Sequence, residues 1–513
     1  MAGPRFDIES QQSFWRHMFK QCFVRLGTDE QYRQRKSILR TLEESVRNGA
    51  YATSRLHGFL TSAKPNNVAR HIPVFTFQDC AVYFACVKAI DEPLAAAAIP
   101  GTFGGFTLGG AKQSRELEEA KKLYDEPREA VAVASTGVES AQLPSVAIQE
   151  IPREEDIFIE LPPSRTGSDL VKVDFSNVQP YGFGSFNKFG WVKSWSQYWK
   201  LAVSTFEEAH ETSWFAMFDI ANFYCSIDLS KLERLLRRTC PEETDTIEIL
   251  MYFLSTWNRD LYHYAPSTKG IPMDLIGDCS RVLANFFLTP FDSKMKVAAQ
   301  IAGADYLRFA DDTTLCCPTR EAARDLIFDA SGLLHEIGLH INVAKVEYLT
   351  HEEYELHWGF RIMALLEQPG TVEKGLELLK SRWKKKGFKR KYTALRRAIT
   401  ILGKRTDLPS WRKWVVEKAV RDPEFLASLS DHHMRNLVVM AKPLASALKR
   451  IEDAVTPLRF SQPKAYLLAC AERFLKSSEP GVAKRAQLIV DKIRTINDPV
   501  LDLAIKNSSR IAG

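Results

Sequence analysis

The sequence of 513 residues lacks the cysteine pattern of a disulfide-stapled or zinc-binding protein. Its 9 cysteines are odd in number, with no CxxC pair and no His at zinc-finger spacing. Long apolar runs are also missing, because no segment approaches the roughly 18 apolar residues of a membrane span. The opening stretch MAGPRFDIESQQSFWRHMFK has no apolar signal core. We therefore expect an unprocessed cytoplasmic protein with reduced thiols and no membrane partner.

A strong excess of either charge is absent too. Lys and Arg number 69 against 63 Asp and Glu, and the resulting net charge of +6 is too small over this length to identify a polyanionic partner. With 45% hydrophobic and 26% charged residues, the composition is that of an ordinary globular protein. At about 100 to 200 residues per domain, the length allows two to four folded units.

Pattern changes along the chain predict its domains. Residues 1–60 are helical and basic, and residues 61–370 contain strands and helices with a Gly-, Pro- and acid-rich insertion at about 95–180. Residues 371–513 have only helical periodicity. The sequence thus predicts an α+β fold followed by an all-α region. The predicted strands of the mixed region include the runs WFAMFDIANFY, DYLRFADDTTLCC and LHWGFRIM.

The helical region contains prolines at repeat spacing. Pro423, Pro463 and Pro499 are about 40 and 36 residues apart, and each falls in a predicted first helical turn. This period is typical of paired-helix repeats of the HEAT type. An irregular bundle is the alternative, because the units share little other similarity.

Three carboxylates follow apolar strands. Asp219 ends the run 214–218, and Asp311 with Asp312 lies between two apolar runs, as at a hairpin tip. Any one of them alone would be read as a solvated charge. Together at one sheet edge they would repel, and two Mg²⁺ ions, or Mn²⁺ in their place, would supply the counter-charge. Two-metal phosphoryl transfer requires such a site.

These segments resemble the ordered motifs of the reverse transcriptase palm and fingers. The match covers about residues 60–365, and the order and spacing of the motifs are more specific than any one of them. The segments are KPNNVARHIPVFTFQDCAVYFACVKAI for the fingers, then FDIANFY for motif A, GIPMDLIGDCSRVLANFFLTPFD for B, LRFADDTTL for C, GLHINVAKVEYL for D and LHWGFRIM for the motif E primer grip.

The resemblance implies roles for the acidic residues. Asp219 and Asp311 would be the principal metal ligands, with help from the Ile220 carbonyl and from Asp312. Lys345 would protonate the departing pyrophosphate. Without the motifs, Lys345 would be read as a solvated surface charge.

A second set would bind the incoming nucleotide. Lys64 and Arg70 would neutralise the triphosphate, and Met273 lies in motif B. Tyr224, five residues after Asp219, corresponds to the aromatic ring with which reverse transcriptases exclude a 2′-hydroxyl. A buried core tyrosine is the alternative for Tyr224, and solvated charges are the alternative for the two cations.

Two positions depart from the family pattern. Motif B commonly has a glycine where this chain has Asp274, which puts in doubt how the backbone meets nucleotide and template. Motif C begins with Phe309 instead of tyrosine, so the ring is kept and a hydroxyl is lost. All three carboxylates are present, and we therefore expect an active enzyme.

Nucleic-acid contacts are predicted after motif D. Trp358 and Gly359 belong to the predicted primer grip, and the stretch SRWKKKGFKRKYTALRR interleaves cations with aromatic rings. Cations neutralise phosphates, and rings such as Trp383 and Phe388 stack on bases. A solvated helix face with buried aromatics is the alternative. The cations are Lys384, Lys385, Lys386, Lys389 and Arg390.

A palm followed by helical repeats resembles the bacterial abortive-infection and unknown-group reverse transcriptases, a class associated with antiphage defence. The resemblance implies dNTP substrates, a DNA product and a homo-oligomer. It also implies synthesis primed by a protein hydroxyl, directed by a noncoding RNA, or made without a conventional template. One alternative is a retron-like or mobile-element enzyme that copies a dedicated RNA, and another is a catalytically inert polymerase-fold scaffold.

Overall fold

The computed structural model describes residues 35–64, 68–108, 191–258, 265–273, 278–441 and 443–506. The helical prediction for residues 1–34, most of the predicted insertion and Asp274 of motif B lie outside these ranges. None of the helices in the described ranges combines the length and the apolar character that a membrane crossing requires.

The N-terminal half contains a hairpin, helices and the first strands of a sheet. Its elements are α1 (Arg35–Arg47), β1 (Gly58–Lys64), β2 (Val68–Val74), α2 (Phe77–Ala96), β3 (Thr102–Phe103), α3 (Trp191–Glu208), β4 (Trp214–Asp219), α4 (Phe223–Ser226), α5 (Leu229–Thr239), α6 (Thr244–Thr256), α7 (Asp278–Phe287) and α8 (Thr289–Ile301). Strand β2 and most of the apolar helix α2 lie within the segment that resembles the fingers motif.

The sheet is completed next, and helices follow. The elements are β5 (Asp305–Phe309), β6 (Asp312–Cys317), α9 (Arg320–Glu336), β7 (Glu347–Thr350), α10 (His351–Trp358), α11 (Phe360–Glu367), α12 (Val372–Arg382), α13 (Lys391–Leu402), α14 (Pro409–Val420), α15 (Pro423–Ala427), α16 (Asp431–Met440), α17 (Leu444–Val455), α18 (Ser461–Glu472), α19 (Pro480–Arg494) and α20 (Pro499–Lys506).

Five strands form the central sheet in the order β3-β5-β6-β4-β7. The β5–β6 pair is an antiparallel hairpin, and β6 also pairs antiparallel with β4. Strand β3 is parallel to β5, and β7 is antiparallel to β4. The strand order puts β4 and the β5–β6 hairpin side by side at the centre of the sheet, where the segment with Asp219 meets the segment with Asp311 and Asp312.

Strands β1 and β2 form a separate antiparallel hairpin. Its buried residues Leu60 and Val74 belong to the same apolar core as Phe215 and Leu307 of the central sheet. That core continues through the C-terminal helices as far as Leu501. A second core packs α2 and helices α5 to α9 around the rest of the sheet. The helical region thus shares its core with both the sheet and the hairpin.

The predicted strand LHWGFRIM is wrong, because this segment forms α10 and α11. A capping box starts α10: the Thr350 side chain accepts from the Glu353 backbone, and the Glu353 side chain accepts from the Thr350 backbone. Gly359, at φ 67°, ends α10 and begins α11. Tyr354 and Trp358, one helical turn apart, are both buried. The segment is therefore helical, in agreement with the spacing of its buried residues, although a short apolar run also fits a strand.

The C-terminal region is helical, as predicted. Asp422 caps α15 by accepting from the Phe425 backbone, and Asp498 accepts from the Val500 and Leu501 backbones at the start of α20. Pairs of these helices pack on one another, among them α18 with α19 and α17 with α19. A HEAT-type repeat and the predicted domain boundaries stay predictions.

Candidate active site

Asp219 and Asp312 face each other directly across β4 and β6. Asp219 is the last residue of β4 and Asp312 the first of β6, so both lie at one edge of the sheet. Directly opposed residues have Cβ atoms about 4.5 to 5.5 Å apart, and like charges there repel each other. The sequence predicted that Asp219 would lie against Asp311 at a common sheet edge, and the strand register instead puts Asp312 directly opposite Asp219.

Asp311 lies in the two-residue loop between Phe309 and Asp312, which pair across the hairpin. Its neighbour Ala310 has φ 54°, a left-handed conformation that non-glycine residues rarely adopt. The Asp311 carbonyl accepts a hydrogen bond of 3.3 Å from the Ile220 backbone N–H. The residue after motif A is thereby joined to the hairpin tip, and Asp311 is held beside Asp219.

A buried ion pair supports this loop. Arg308 and Asp292 are both fully buried and form a bidentate pair, with Nε–Oδ1 and Nη2–Oδ2 distances of 2.7 and 2.6 Å. The Arg308 Nη1 also donates to the Ala310 carbonyl at 2.6 Å and to Asn285 Oδ1 at 2.8 Å. Sequence reasoning missed Arg308, although a cation inside the apolar run YLRF is an available signal.

Crowding of the carboxylates changes their protonation. Burial raises the pKa of Asp311 to about 7, and the charges of Asp312 and Asp219 add to the increase. Burial also raises the pKa of Asp312, while the nearby Arg390 guanidinium opposes that change. Without added positive charge, the three carboxylates are therefore not all ionised at neutral pH.

Lys345 supplies one positive charge. Its Nζ donates to Asp219 Oδ2 at 2.5 Å, and the Asn342 backbone donates to the Asp219 carbonyl at 2.7 Å. Burial lowers the pKa of Lys345 and contact with Asp219 raises it, and the net change is an increase. The loop after α9 therefore brings a protonated amine to the carboxylates, and Asn342 is a contact that the sequence analysis missed.

The donor set suits a hard divalent cation. Asp219 Oδ1 is buried and has no hydrogen-bond partner among the described residues, which leaves a carboxylate oxygen for a metal. Carboxylate and carbonyl oxygens from Asp219, Asp311 and Ile220 are ligands that Mg²⁺ prefers, with substrate phosphates completing the shell. In the described ranges, no group of three or more His, Cys, Asp or Glu side chains has an arrangement that could hold a metal ion without further ligands or movement. The ammonium of Lys345 is instead the cation that contacts Asp219.

The helical region also reaches the site. Arg390 Nη2 lies 3.7 Å from Asp312 Oδ2, and the guanidinium carbon lies 4.5 Å from the centre of the Trp358 ring. Lys389 Nζ lies 3.4 Å from Glu347 Oε1 on β7. The loop between α12 and α13 thus brings two of the predicted nucleic-acid-binding cations to the sheet edge.

The structure corrects the prediction that Trp358 contacts nucleic acid as part of a primer grip. Its side chain is 2% exposed and packs against Trp199 and Phe360, so the ring is not open to a base. Phe388 is equally buried and lies against Gly359, where an added Cβ would come within 2.7 Å of the Phe388 ring. Both rings are buried, and they pack around the helical turn at Gly359 instead of facing solvent.

The remaining predicted residues are either exposed or partly buried. Lys384, Lys385 and Lys386 are exposed in the same loop as Arg390. Tyr224 is half-buried on α4 beside Phe223, and its carbonyl accepts from the Ile271 backbone at 2.9 Å. Met273 is half-buried two residues beyond Ile271, so motifs A and B run next to each other as the resemblance implies.

Lys64 and Arg70 lie on the separate hairpin. Lys64 ends β1, Arg70 pairs across from Ser62, and both cations are exposed. Lys64, Ser62 and Arg70 project from the same face of the hairpin, since alternate residues of a strand share a face. Neither cation forms an ion pair within the described ranges, which leaves both charges available to an anion.

Comparison with known proteins gives a distant structural likeness. No curated protein sequence matches the chain. The structure of apo telomerase from Candida tropicalis is 12% identical with a TM-score of 0.27, and the match covers 60% of this chain and 56% of that one. Telomerase from Candida albicans with a fragment of telomeric RNA is 10% identical with a TM-score of 0.26, over 59% and 54%. The matches thus cover little more than half the length of the telomerase chains.

A family match agrees with the motifs. The profile of the family described as reverse transcriptase (RNA-dependent DNA polymerase) matches residues 176–389. This range contains the three carboxylates and Lys345, and it ends at Lys389, one residue before Arg390. The match to the reverse transcriptase family therefore covers residues 176–389, which is less than half of the chain.

Proposed function

We propose that the protein is a DNA polymerase of reverse transcriptase type that joins dNTPs to a primer by two-metal phosphoryl transfer. The observation that carries this proposal is the direct pairing of Asp219 with Asp312, with Asp311 in the adjoining loop. Burial and neighbouring charges raise the pKa values of Asp311 and Asp312, and divalent cations bound at this site would compensate the repulsion between the carboxylates.

Asp219 and Asp311 would hold the two Mg²⁺ ions, with the Ile220 carbonyl assisting and Asp312 at longer range. When bound, the ions would make the primer hydroxyl more acidic and would compensate the negative charge on the attacking and leaving oxygens. The Asn342 backbone holds the Asp219 carbonyl and the Lys345 ammonium holds its carboxylate, so Asp219 is positioned before substrate arrives.

The nucleotide would lie between the hairpin and the sheet edge. Lys64 and Arg70 would neutralise its triphosphate, and Lys345, which carries a proton at Nζ, would give that proton to the departing pyrophosphate. Tyr224 would exclude a ribose 2′-hydroxyl, and Met273 would line the pocket. Each of these roles is supported both by the resemblance and by the charge and position of the side chain described above.

Nucleic acid would be bound by the loop between α12 and α13. Its exposed lysines offer charge to phosphates, and Arg390 lies at the carboxylates themselves. Trp358 and Gly359 would act indirectly, by supporting Arg390 and the turn against which Phe388 packs. The loop cations are Lys384, Lys385, Lys386, Lys389 and Arg390.

Synthesis is tested with purified protein, Mg²⁺ and each labelled dNTP in turn, without added template, followed by denaturing gels with and without protease. Label that stays with the protein until digestion means protein priming. Product indifferent to protease means a co-purified primer. If neither these conditions nor added RNA templates with primers give product, or if Asp311→Asn retains wild-type synthesis, the polymerase proposal fails and an inert scaffold replaces it.

We propose that the biological role of the protein is bacterial antiphage defence by abortive infection. We also propose that it acts as an oligomer of identical chains. The helical region after the reverse transcriptase domain supports this role through the resemblance named above. Bacteria that express the wild type should survive or restrict phage infection better than bacteria that express Asp311→Asn. Equal phage yields from the two strains would contradict it. A single co-purified RNA that serves as template would favour the retron-like alternative.

A further inference from the structure

The β1–β2 hairpin is attached to the helical region by a reciprocal pair of hydrogen bonds. The Thr61 backbone N–H donates to Ser461 Oγ at 2.8 Å, and the Ser461 backbone N–H donates to Thr61 Oγ1 at 2.8 Å. The two hydroxyls are also 3.0 Å apart. Ser461 is 1% exposed, so these bonds lie away from water and are costly to leave unmade.

The contact replaces a local helix cap. Ser461 is the first residue of α18, and the preceding Phe460 has no side chain that can accept from the helix N-terminus. Thr61, 400 residues earlier in the chain, accepts that N–H instead. In return, Ser461 satisfies an N–H on the outer edge of β1, an edge that would otherwise be unpaired.

The hairpin depends on this support. A two-stranded hairpin alone is marginally stable in water, and β1 and β2 do not join the central sheet. Besides β2, the main packing partners of β1 are α15, α18 and α20. Leu60 is fully buried in the core shared with these helices, and Gly58 approaches Val500. The helical region therefore sets where the hairpin lies.

The same hairpin carries the proposed triphosphate ligands. Lys64 is three residues from Thr61, about 10 Å along an extended strand, and Arg70 pairs with Ser62, the neighbour of Thr61. A movement of β1 relative to α18 would therefore move both cations relative to the carboxylates. Charge placement of this kind depends on fixed geometry, because misplacement by about 1 Å weakens a substrate contact strongly.

We propose that Thr61 and Ser461 are positioning residues for nucleotide binding, through which the helical region fixes the hairpin that holds the triphosphate. This inference rests on the proposed polymerase function and assigns the C-terminal helices a part in it. Neither residue touches the substrate. Their loss should weaken nucleotide binding and leave the reacting groups Asp219 and Asp311 in place.

The test compares Thr61→Val, which keeps the shape of the side chain and removes the hydroxyl, with Thr61→Ser, which keeps the hydroxyl. Ser430→Ala is the matched control, because Ser430 caps α16 in the same helical region without a bond to the hairpin. On a primed RNA template, Thr61→Val should raise the KM for dNTP about 3- to 10-fold, the size expected for one lost hydrogen bond, with kcat within about twofold. Thr61→Ser and Ser430→Ala should keep the wild-type KM.

Hydrogen exchange gives a readout that does not require activity. Residues 58–74 should exchange about 3- to 10-fold faster in Thr61→Val and in Ser461→Ala than in the wild type or in Ser430→Ala. Unchanged exchange in both variants overturns the inference, whatever the polymerase assay shows. Faster exchange without a change in KM overturns the link to nucleotide binding. If the wild type makes no DNA, the proposed function fails separately, and exchange still decides whether Thr61 and Ser461 hold the hairpin.

Discussion

Arg390, from the first loop of the helical region, lies 3.7 Å from the carboxylate of Asp312 while its guanidinium covers the ring of Trp358. The ring fixes one face of the guanidinium, and the side chain is 30% exposed, so part of it stays open to substrate. A residue outside the central sheet is thus part of the surroundings of Asp312 and the neighbouring carboxylates.

Replacing Arg390 by Gln should weaken primer–template binding. Loss of one phosphate-neutralising cation should lower the affinity and reduce the slope of log K against log salt by about one. Binding titrations at several salt concentrations measure both quantities. Arg405→Gln is the control, since Arg405 pairs with Asp407 two residues away. An unchanged salt slope in Arg390→Gln would mean that Arg390 supports Asp312 only.

Asp311→Asn should lower kcat by at least about 100-fold, because a metal ligand at the reacting centre, the role proposed for Asp311, contributes several kcal/mol to transition-state stabilisation. Single-nucleotide incorporation under saturating dNTP is the measurement. Asp305→Asn, at the exposed start of the same hairpin, should retain activity. Comparable losses in both variants would point to a general weakness of the hairpin instead.

Tyr224→Ala should reduce discrimination against ribonucleotides. If the ring blocks the 2′-hydroxyl, its removal should raise kcat/KM for an rNTP relative to the matching dNTP by about 10- to 100-fold. Tyr224→Phe keeps the ring and should preserve the wild-type ratio. Should the ratio stay constant in Tyr224→Ala as well, the side chain is a packing residue of α4.

Arg308→Met should destabilise the fold by about 3 to 5 kcal/mol, because it leaves the Asp292 carboxylate buried without its partner. Combining it with Asp292→Asn should recover a large part of that loss, since no uncompensated charge then remains. Chemical denaturation of both single variants and the double variant measures the coupling. Additive effects would show that the pair does not act as a unit.

His433 should make stability depend on pH. Burial lowers the pKa of His433 to about 3, with help from Arg396 and His432, whereas the unfolded chain keeps the ordinary value of 6.5. Between these values the unfolded state binds more protons, so the free energy of unfolding falls as pH drops below 6.5. The loss from pH 7 to pH 5 should be about 2 kcal/mol, measured by urea unfolding. His433→Gln should lose this part of the pH dependence of stability. If the free energy of unfolding of the variant varied with pH as in the wild type, the prediction would be contradicted.

The strands, the helix starts and the positions of the carboxylates could be predicted where the signal lies within one short segment of the sequence. Strand β4 is an apolar segment that ends in Asp219, the β5–β6 hairpin carries Asp311 and Asp312 at its turn, and prolines after Asp422 and Asp498 mark helix starts. The segment LHWGFRIM was not predictable in this way, because a short apolar run fits a strand and a helix equally well. The Thr350–Glu353 capping box and burial on both sides of Gly359 decided for helices.

By itself, the sequence determined the chemistry of the site: which side chains are acidic, which are basic, and in what order they follow apolar strands. Tertiary structure alone decided the rest. It set Asp219 opposite Asp312, brought Lys345 and Arg390 to them, buried the Trp358 and Phe388 rings, and capped α18 with Thr61. These contacts join residues up to 400 positions apart, and no periodicity along the chain encodes such a pair, because it depends on how separate elements pack.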